Sequence, residues 1–375
     1  MTVKKISSRQ FGLLVLLYSL GDSILFLPGT TTSFGHKDAW ISIMIGSLAG
    51  IVITFIYGKV MLLYPDITFV ELTQYALGKL VGTILLLLFL YYYFISSCFL
   101  LWDIGDFTVT QILPETPIHS IYILFLIPVL YGVRAGLETI ARATEILAPW
   151  IFILLILLIA VLFPEYKYEN LTPVFENGFI PILQGSYLMI GLPLVQFSIF
   201  LLITPSIKKG KSYLMPFIIG SVLGNLCTLL ITISCILVLG AESTSRHTFP
   251  VYILGKKVTI GEFLQRIEIF IAIIWFLSIY VKLTLTTYGF IYGISNMLKL
   301  KNYQPLTFPF GLIMLAGVLI FIPHQVFAFD FFIFTWHTYS FMIAFAIPLL
   351  VYLFGYLKKK KLSNKLPTFP SSKNY

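Results

Sequence analysis

Long apolar runs separated by short polar joints dominate the chain. A helix needs roughly 20 mostly apolar residues to cross a bilayer. Ten runs are candidates, at about 10–32, 39–63, 80–102, 118–133, 140–163, 179–204, 213–240, 262–297, 307–323 and 332–357. None is built from the alternating segments of roughly 10 residues that mark a membrane β-barrel. The stretch YPDITFVELTQYALGK at 64–79 is half polar and is expected to lie along the membrane surface. The pattern predicts an all-α polytopic membrane protein of about ten transmembrane helices. One transmembrane domain is expected over 1–357, followed by a basic cytoplasmic tail over 358–375.

Composition agrees with the pattern. Hydrophobic residues make up 58% of the chain and charged residues 11%, against about 25% charged in a soluble domain. The first run is followed by further spans and by no small-residue cleavage site, so a retained span is expected, not a signal peptide. Cys98, Cys227 and Cys235 all fall inside apolar runs and read as small packing residues without metal spacing.

The net charge of +9 is explained by where the charges sit. With the N-terminus in the cytoplasm, the inner segments hold Lys4, Lys5, Arg9, Lys59, Lys79, Arg134, Arg142, Lys208, Lys209, Lys211, Lys299, Lys301 and the lysines from 358 onward. The outer segments hold only Lys37, Lys167, Arg246, Lys256 and Lys257, together with Asp103, Asp106, Glu115, Glu165, Glu169 and Glu176. Cytoplasmic loops carry the excess of Lys and Arg, so both termini are expected in the cytoplasm. The tail KKKKLSNKLPTFPSSKNY reads as a disordered anchor to anionic lipid.

Inside the first run stands GDSILFLPG, residues 21–29. Lipid offers no hydrogen bonds, so a spanning helix is interrupted only where protein or trapped water satisfies the freed backbone groups. Gly21 permits unusual backbone angles, Asp22 and Ser23 are good N-cap residues for a helix starting at Ile24, and Pro28 removes a further donor. Two half-helices meeting near the bilayer centre are expected. A charge at that depth costs several kcal/mol and is usually functional; the alternative is a buried cap with no ligand. The sixth run contains Gly185, Ser186, Gly191 and Pro193 near its middle. Two broken spans, each first in a set of five, point to a five-plus-five inverted repeat with discontinuous helices 1 and 6 and a substrate site between them. Half-helix ends suit a carboxylate and an ammonium, hence a zwitterion such as an amino acid.

In the eighth run Arg266 and Glu268 lie near the outer end, where snorkelling or interhelical pairing accounts for them. Lys282 is deep in the apolar zone, and Asp22 and Lys282 are the two ionisable residues expected near the midplane. They are expected to face one cavity and balance each other, with Lys282 in place of a sodium ion or exchanging a proton; the alternative is a purely structural ion pair. Tyr93 and Ser97 sit in YYYF and SSC of the third run, where a ligand contact and ordinary packing are both open. His36, His119, His247, His324 and His337 are expected on loops or span ends and form no metal pattern. No nucleophile set, phosphate loop or nucleotide motif is present. An enzyme and a cofactor are therefore not expected.

The basic N-terminus with ISSRQFGLLVLLYSLGDSILFLPG, the segment carrying Pro65, Thr68, Glu71, Gly78 and Lys79, and the lysine-rich tail together resemble the B-subunits of bacterial spore germinant receptors. These belong to the amino acid/polyamine/organocation transporter superfamily. The resemblance spans almost the whole chain. It implies a ligand pocket between spans 1, 3, 6 and 8, using Gly21, Asp22, Ser23 and Ile24, then Gly185, Ser186, Tyr187 and Gly191. It also implies a receptor for a nutrient germinant, commonly an amino acid, in the spore inner membrane, with a membrane-bound A-subunit and a lipoprotein C-subunit as partners. Asp22 is a departure, because a small uncharged residue is more usual there. An acid at this point favours an amine-bearing ligand or calls for Lys282 as neutraliser. The alternative reading is a proton-coupled amino acid transporter acting alone; both need the same pocket.

Overall fold

The computed structural model describes residues 5–207, 213–257 and 266–363. Lys4, Lys208, Lys209, Lys211, the first residues of the expected eighth span and residues 364–375 of the tail lie outside the described residues. Two half-helices open the chain, α1 (Ser8–Leu20) and α2 (Ser23–Gly35), of 13 residues each. Each reaches about 20 Å, short of the roughly 30 Å hydrocarbon core, so they cross only as a pair. After a 3₁₀ turn the chain continues as α3 (Ala39–Leu63). The stretch Ser23–Leu63 counts 41 residues, about 60 Å if straight. It doubles back instead at His36, whose φ is 49°, and α2 packs against α3.

The chain continues through α4 (Phe69–Leu77), α5 (Lys79–Gln111), α6 (Ile118–Ala135), α7 (Leu137–Leu162) and α8 (Phe179–Met189). Past the break after α8 come α9 (Leu214–Leu239), α10 (Ala241–Arg246), α11 (Pro250–Lys257), α12 (Glu268–Met297) and α13 (Thr307–Phe321). The last crossing is α14 (Gln325–Asp330), α15 (His337–Ser340) and α16 (Ala346–Ser363), joined by π-helical turns at Phe331–Trp336 and Phe341–Phe345. Among the described residues nine helical stretches are long and apolar enough to cross a membrane. The first of these holds two legs, and α1 completes the first, which accounts for the ten runs in the sequence. The half-polar stretch after the second crossing becomes α4, opened by a capping box in which Thr68 and Glu71 satisfy each other's backbone N–H groups.

Three boundaries differ from expectation. The third crossing does not stop at 102: α5 runs to Gln111 and takes in Asp103 and Asp106, which the charge pattern placed on an outer loop. Helix can absorb carboxylates where they face the bundle interior. Asp106 is buried, and its Oδ2 accepts Gln325 Nε2 at 3.3 Å. Second, the last crossing begins at Gln325, several residues early. Third, the first part of the expected disordered tail is helix as far as Ser363. Lys358 Nζ donates to Tyr75 O at 2.6 Å and Lys359 Nζ to Leu63 O at 2.9 Å. These lysines bind carbonyls that helix ends leave without partners.

α1 lies inside the bundle against α7, α9 and α12. It approaches α9 closely because the facing residues are small. A Cβ on Gly220 would strike Gly12 O, and one on Gly224 would come within 2.6 Å of Ser19 Cβ. Large apolar side chains such as Leu48, Leu80, Leu124, Tyr131, Ile320 and Phe334 point outward, the surface a lipid-embedded bundle presents. Arg266 pairs with Glu268 at 3.4 Å, a local contact two residues apart at the start of α12 and not the interhelical pairing expected as one alternative.

Candidate functional site

α1 ends at Leu20, and Asp22 opens α2 by accepting Leu25 N–H and Phe26 N–H at its carbonyl. Between them Gly21 leaves room for a side chain from α12: a Cβ there would collide with Lys282 Cδ. Through this gap Lys282 Nζ reaches Asp22 Oδ1 at 2.5 Å. The same oxygen accepts Ser23 Oγ at 3.3 Å. The ammonium also stands 5.0 Å from the centroid of the Tyr18 ring, and Thr286 Oγ1 donates to Tyr18 OH at 3.3 Å. The lysine side chain is fully buried and that of Asp22 is 7% exposed. A buried ammonium needs its charge matched; the carboxylate and the ring face both meet it.

The sixth crossing breaks differently. After α8 comes a π turn over Ile190–Leu194, containing Pro193, and then a 3₁₀ helix over Val195–Ser206. Such irregular backbone leaves carbonyls to be satisfied from outside. Tyr57 OH donates to Val195 O at 2.9 Å, and Tyr93 OH donates to Gln196 O at 3.0 Å. Tyr93 also lies 2.7 Å from Ser198 Oγ. These buried tyrosines on α3 and α5 hold the broken segment in place.

Between the two breaks lies a small cavity of about 20 Å³, room for about one water molecule in this arrangement. Its polar wall is Asp22, Ser96, Asp103 and Gln196, and most of the rest is aromatic, including Phe26, Phe99, Trp102 and, from the last crossing, Phe332 and Trp336. It is therefore bounded by crossings 1, 3, 6 and 10. Crossing 8 contributes Lys282 from behind Asp22 instead of forming wall.

The expected site residues separate accordingly. Asp22 lines the cavity and Lys282 pairs with it; Gly21 and Ser23 support that pair. Ile24 faces a different apolar crevice beside Trp275. Tyr93 serves the backbone of crossing 6, and Ser97 Oγ donates to Tyr93 O within its own helix at 2.9 Å, while its neighbour Ser96 faces the cavity. Gly185 packs on Ser42, and Ser186 Oγ donates to Ile182 O at 2.8 Å. Tyr187 lies 2.9 Å from Thr338 Oγ1 and stacks on Phe341. A Cβ on Gly191 would come within 2.5 Å of His337 Cδ2. His337 itself is buried inside the last crossing, not at a span end, because the extra π turns carry that crossing past it. Among the described residues no group of three or more His, Cys, Asp or Glu is placed to hold a metal ion.

Asp103, Gln196 and the aromatic wall of crossing 10 were not expected here. Ser96, Phe99, Leu100 and Asp103 follow an i, i+3, i+4, i+7 spacing, which puts them on one helix face. That signal becomes visible once the third helix is carried past Trp102.

A family model described as "Spore germination protein" matches residues 5–326. The chain belongs to the spore germination protein family. Among curated relatives, spore germination protein KB of Bacillus subtilis (strain 168) is 28% identical over 319 residues, covering 84% of each chain. Spore germination protein YndE of the same organism is 27% identical over 324 residues, 85% of this chain and 87% of the relative. Among solved structures, MhsT in complex with L-phenylalanine has a TM-score of 0.69 at 14% identity, covering 95% of this chain and 99% of that one. Mhp1, a nucleobase-cation-symport-1 family transporter with bromovinylhydantoin bound, has a TM-score of 0.68 at 10% identity, covering 98% of this chain and 95% of that one. At these identities the likeness is one of fold. This spore germination protein thus has an all-α, transporter-like membrane fold, with its breaks in the first and sixth crossings.

Proposed function

We propose that this chain is the ligand-binding membrane subunit of a nutrient-germinant receptor. It takes up a small nutrient, an amino acid or a similar molecule, in the chamber between its broken first and sixth crossings. Occupancy favours one arrangement of those crossings, and partner subunits read the change. The partners are a membrane-bound A-subunit and a lipoprotein C-subunit, in the inner membrane of the spore with both termini of this chain in the cytoplasm. No chemistry on the ligand is required. Of the expected site residues, Asp22 and Lys282 set the charge at the chamber edge, with Gly21 and Ser23 holding them; Ile24, Tyr93, Ser97, Gly185, Ser186, Tyr187 and Gly191 shape the helices around it.

One observation carries this reading. A largely apolar chamber meets an ion pair at the break of the first crossing, in a chain of the spore germination protein family. A ligand shifts a conformational equilibrium only by its differential affinity for the two states. Broken crossings supply two states at low cost, because their freed carbonyls are held by side chains such as Tyr57 and Tyr93 instead of by a continuous helical ladder.

The fold likeness to solved transporters favours a second reading, proton-coupled transport by this chain alone. Two measurements separate the readings. Spores lacking the chain are challenged with single nutrients, and proteoliposomes holding the chain alone are assayed for uptake of labelled amino acids. Loss of at least one response without uptake is the expected result. Unchanged response to every nutrient removes the receptor reading, and gradient-driven uptake by the chain alone selects the transporter.

A further inference from the structure

We propose that Asp103 selects the ligand, and that the chamber takes a molecule bearing a protonated amine on an apolar body. This rests on the reading that the chamber binds the nutrient. The chamber region holds two carboxylates, Asp22 and Asp103, against one ammonium, Lys282. Lys282 is committed to Asp22 at 2.5 Å. Asp103 makes no hydrogen bond or ion pair among the described residues, so its carboxyl borders the chamber without a partner. A second observation points the same way. Gln196 is 1% exposed, lines the same cavity, and its Oε1 has no hydrogen-bond partner. Asp103 and Gln196 thus present unpaired acceptors to one space.

An ammonium matches this arrangement chemically, because it brings three donors and one positive charge. A buried acceptor or charge without a partner is costly, and a ligand that supplies the partner recovers that cost as affinity. The surrounding wall supports the same class. Phe26, Phe99, Trp102, Phe332 and Trp336 offer apolar contact to the ligand body and ring faces that attract a cation. A free carboxylic acid meets Asp103 with like charge and finds Lys282 already occupied. A neutral sugar brings no positive charge to the Asp103 carboxyl.

The test uses the purified full chain in lipid nanodiscs and calorimetric titration with phenethylamine, L-phenylalanine, 3-phenylpropionate, glucose, inosine and sodium ion. Phenethylamine and L-phenylalanine are expected to bind the wild type, and 3-phenylpropionate is not. Asp103→Asn is expected to weaken both amines at least ten-fold, and Asp103→Glu to recover part of that loss. Asp103→Asn is also expected to melt no lower than the wild type, because it removes an unpaired carboxylate and no native bond. A purely structural Asp103 would instead lower the melting temperature. Amine binding that Asp103→Asn leaves unchanged overturns the proposal. So does a preference for 3-phenylpropionate, or loss of sodium binding alone in that variant. Binding of glucose or inosine only overturns the amine assignment and leaves the chamber reading standing. Silence of the whole panel overturns the proposal, and the single-nutrient spore assay then judges the chamber reading independently.

Discussion

Breaking the buried ion pair from either side, and then from both, gives the sharpest check on the geometry. Lys282 Nζ and Asp22 Oδ1 are 2.5 Å apart with side chains 0% and 7% exposed. Removing one member of such a pair leaves an uncompensated charge and costs about 3–5 kcal/mol, whereas replacing both by apolar or neutral groups is far milder. The two single losses are not equal. Asp22→Asn strands an ammonium that has no contact with solvent and keeps the Tyr18 ring 5.0 Å away. Lys282→Met strands a carboxylate that opens on the cavity and keeps Ser23 Oγ at 3.3 Å. Asp22→Asn is therefore expected near the upper end of the range and Lys282→Met near the lower end. The double variant should recover at least about 2 kcal/mol of the summed loss, well beyond the roughly 0.5 kcal/mol within which independent sites add. Reversible unfolding from mixed micelles by sodium dodecyl sulfate, followed by tryptophan emission, measures all four forms on one scale. Additive losses, or Lys282→Met costing more than Asp22→Asn, would refute the pairing as the structure draws it.

Further substitutions probe the supports of the chamber. Gly21→Ala forces Lys282 aside, so it should lower stability by about 1–3 kcal/mol, and much less in a Lys282→Met background. Tyr93→Phe removes the hydroxyl 3.0 Å from Gln196 O and 2.7 Å from Ser198 Oγ; a loss of about 1–2 kcal/mol is expected, with weaker ligand binding because Gln196 loses its anchor. Gly191→Ala meets His337 Cδ2 at 2.5 Å, and His337→Ala should relieve that clash in the same unfolding assay. Thr68→Ala removes the capping box of α4 and should cost about 1 kcal/mol, with ligand affinity unchanged.

Most of the fold could be read from the apolar runs, because in lipid every backbone group must be satisfied inside a helix and the run length is fixed by the bilayer. The first break was legible from Gly21, Asp22 and Ser23 standing together at mid-span. The pairing of Asp22 with Lys282 followed from both being too deep to reach water. The sixth break was only half legible. Gly185 and Ser186 serve helix packing, and the irregular backbone starts at Ile190, after them. Nothing in a one-dimensional pattern distinguishes a glycine that lets helices touch from one that lets a helix break. Asp103 was misplaced for a related reason. Charge read by position alone marks a span end, yet a helix can carry a carboxyl past that point where it faces the bundle interior. Deciding between these requires knowing which face of α5 is inward, and that depends on partners from crossings 1, 6 and 10.

The two carboxylates therefore play separable parts, and a single loss-of-function result at either one is open to misreading. The Asp22–Lys282 pair matches its own charge, so it holds α1, α2 and α12 together with or without a ligand. Discrimination has to come from groups that face the chamber without partners, and among the described residues Asp103 and Gln196 are such groups. It follows that Asp22→Asn should lower stability and ligand response together, whereas Asp103→Asn should abolish amine recognition in a protein at least as stable as the parent. If both variants lose stability and binding in the same proportion, the division between a structural pair and a recognising acid fails, and the chamber must be treated as one coupled charge network.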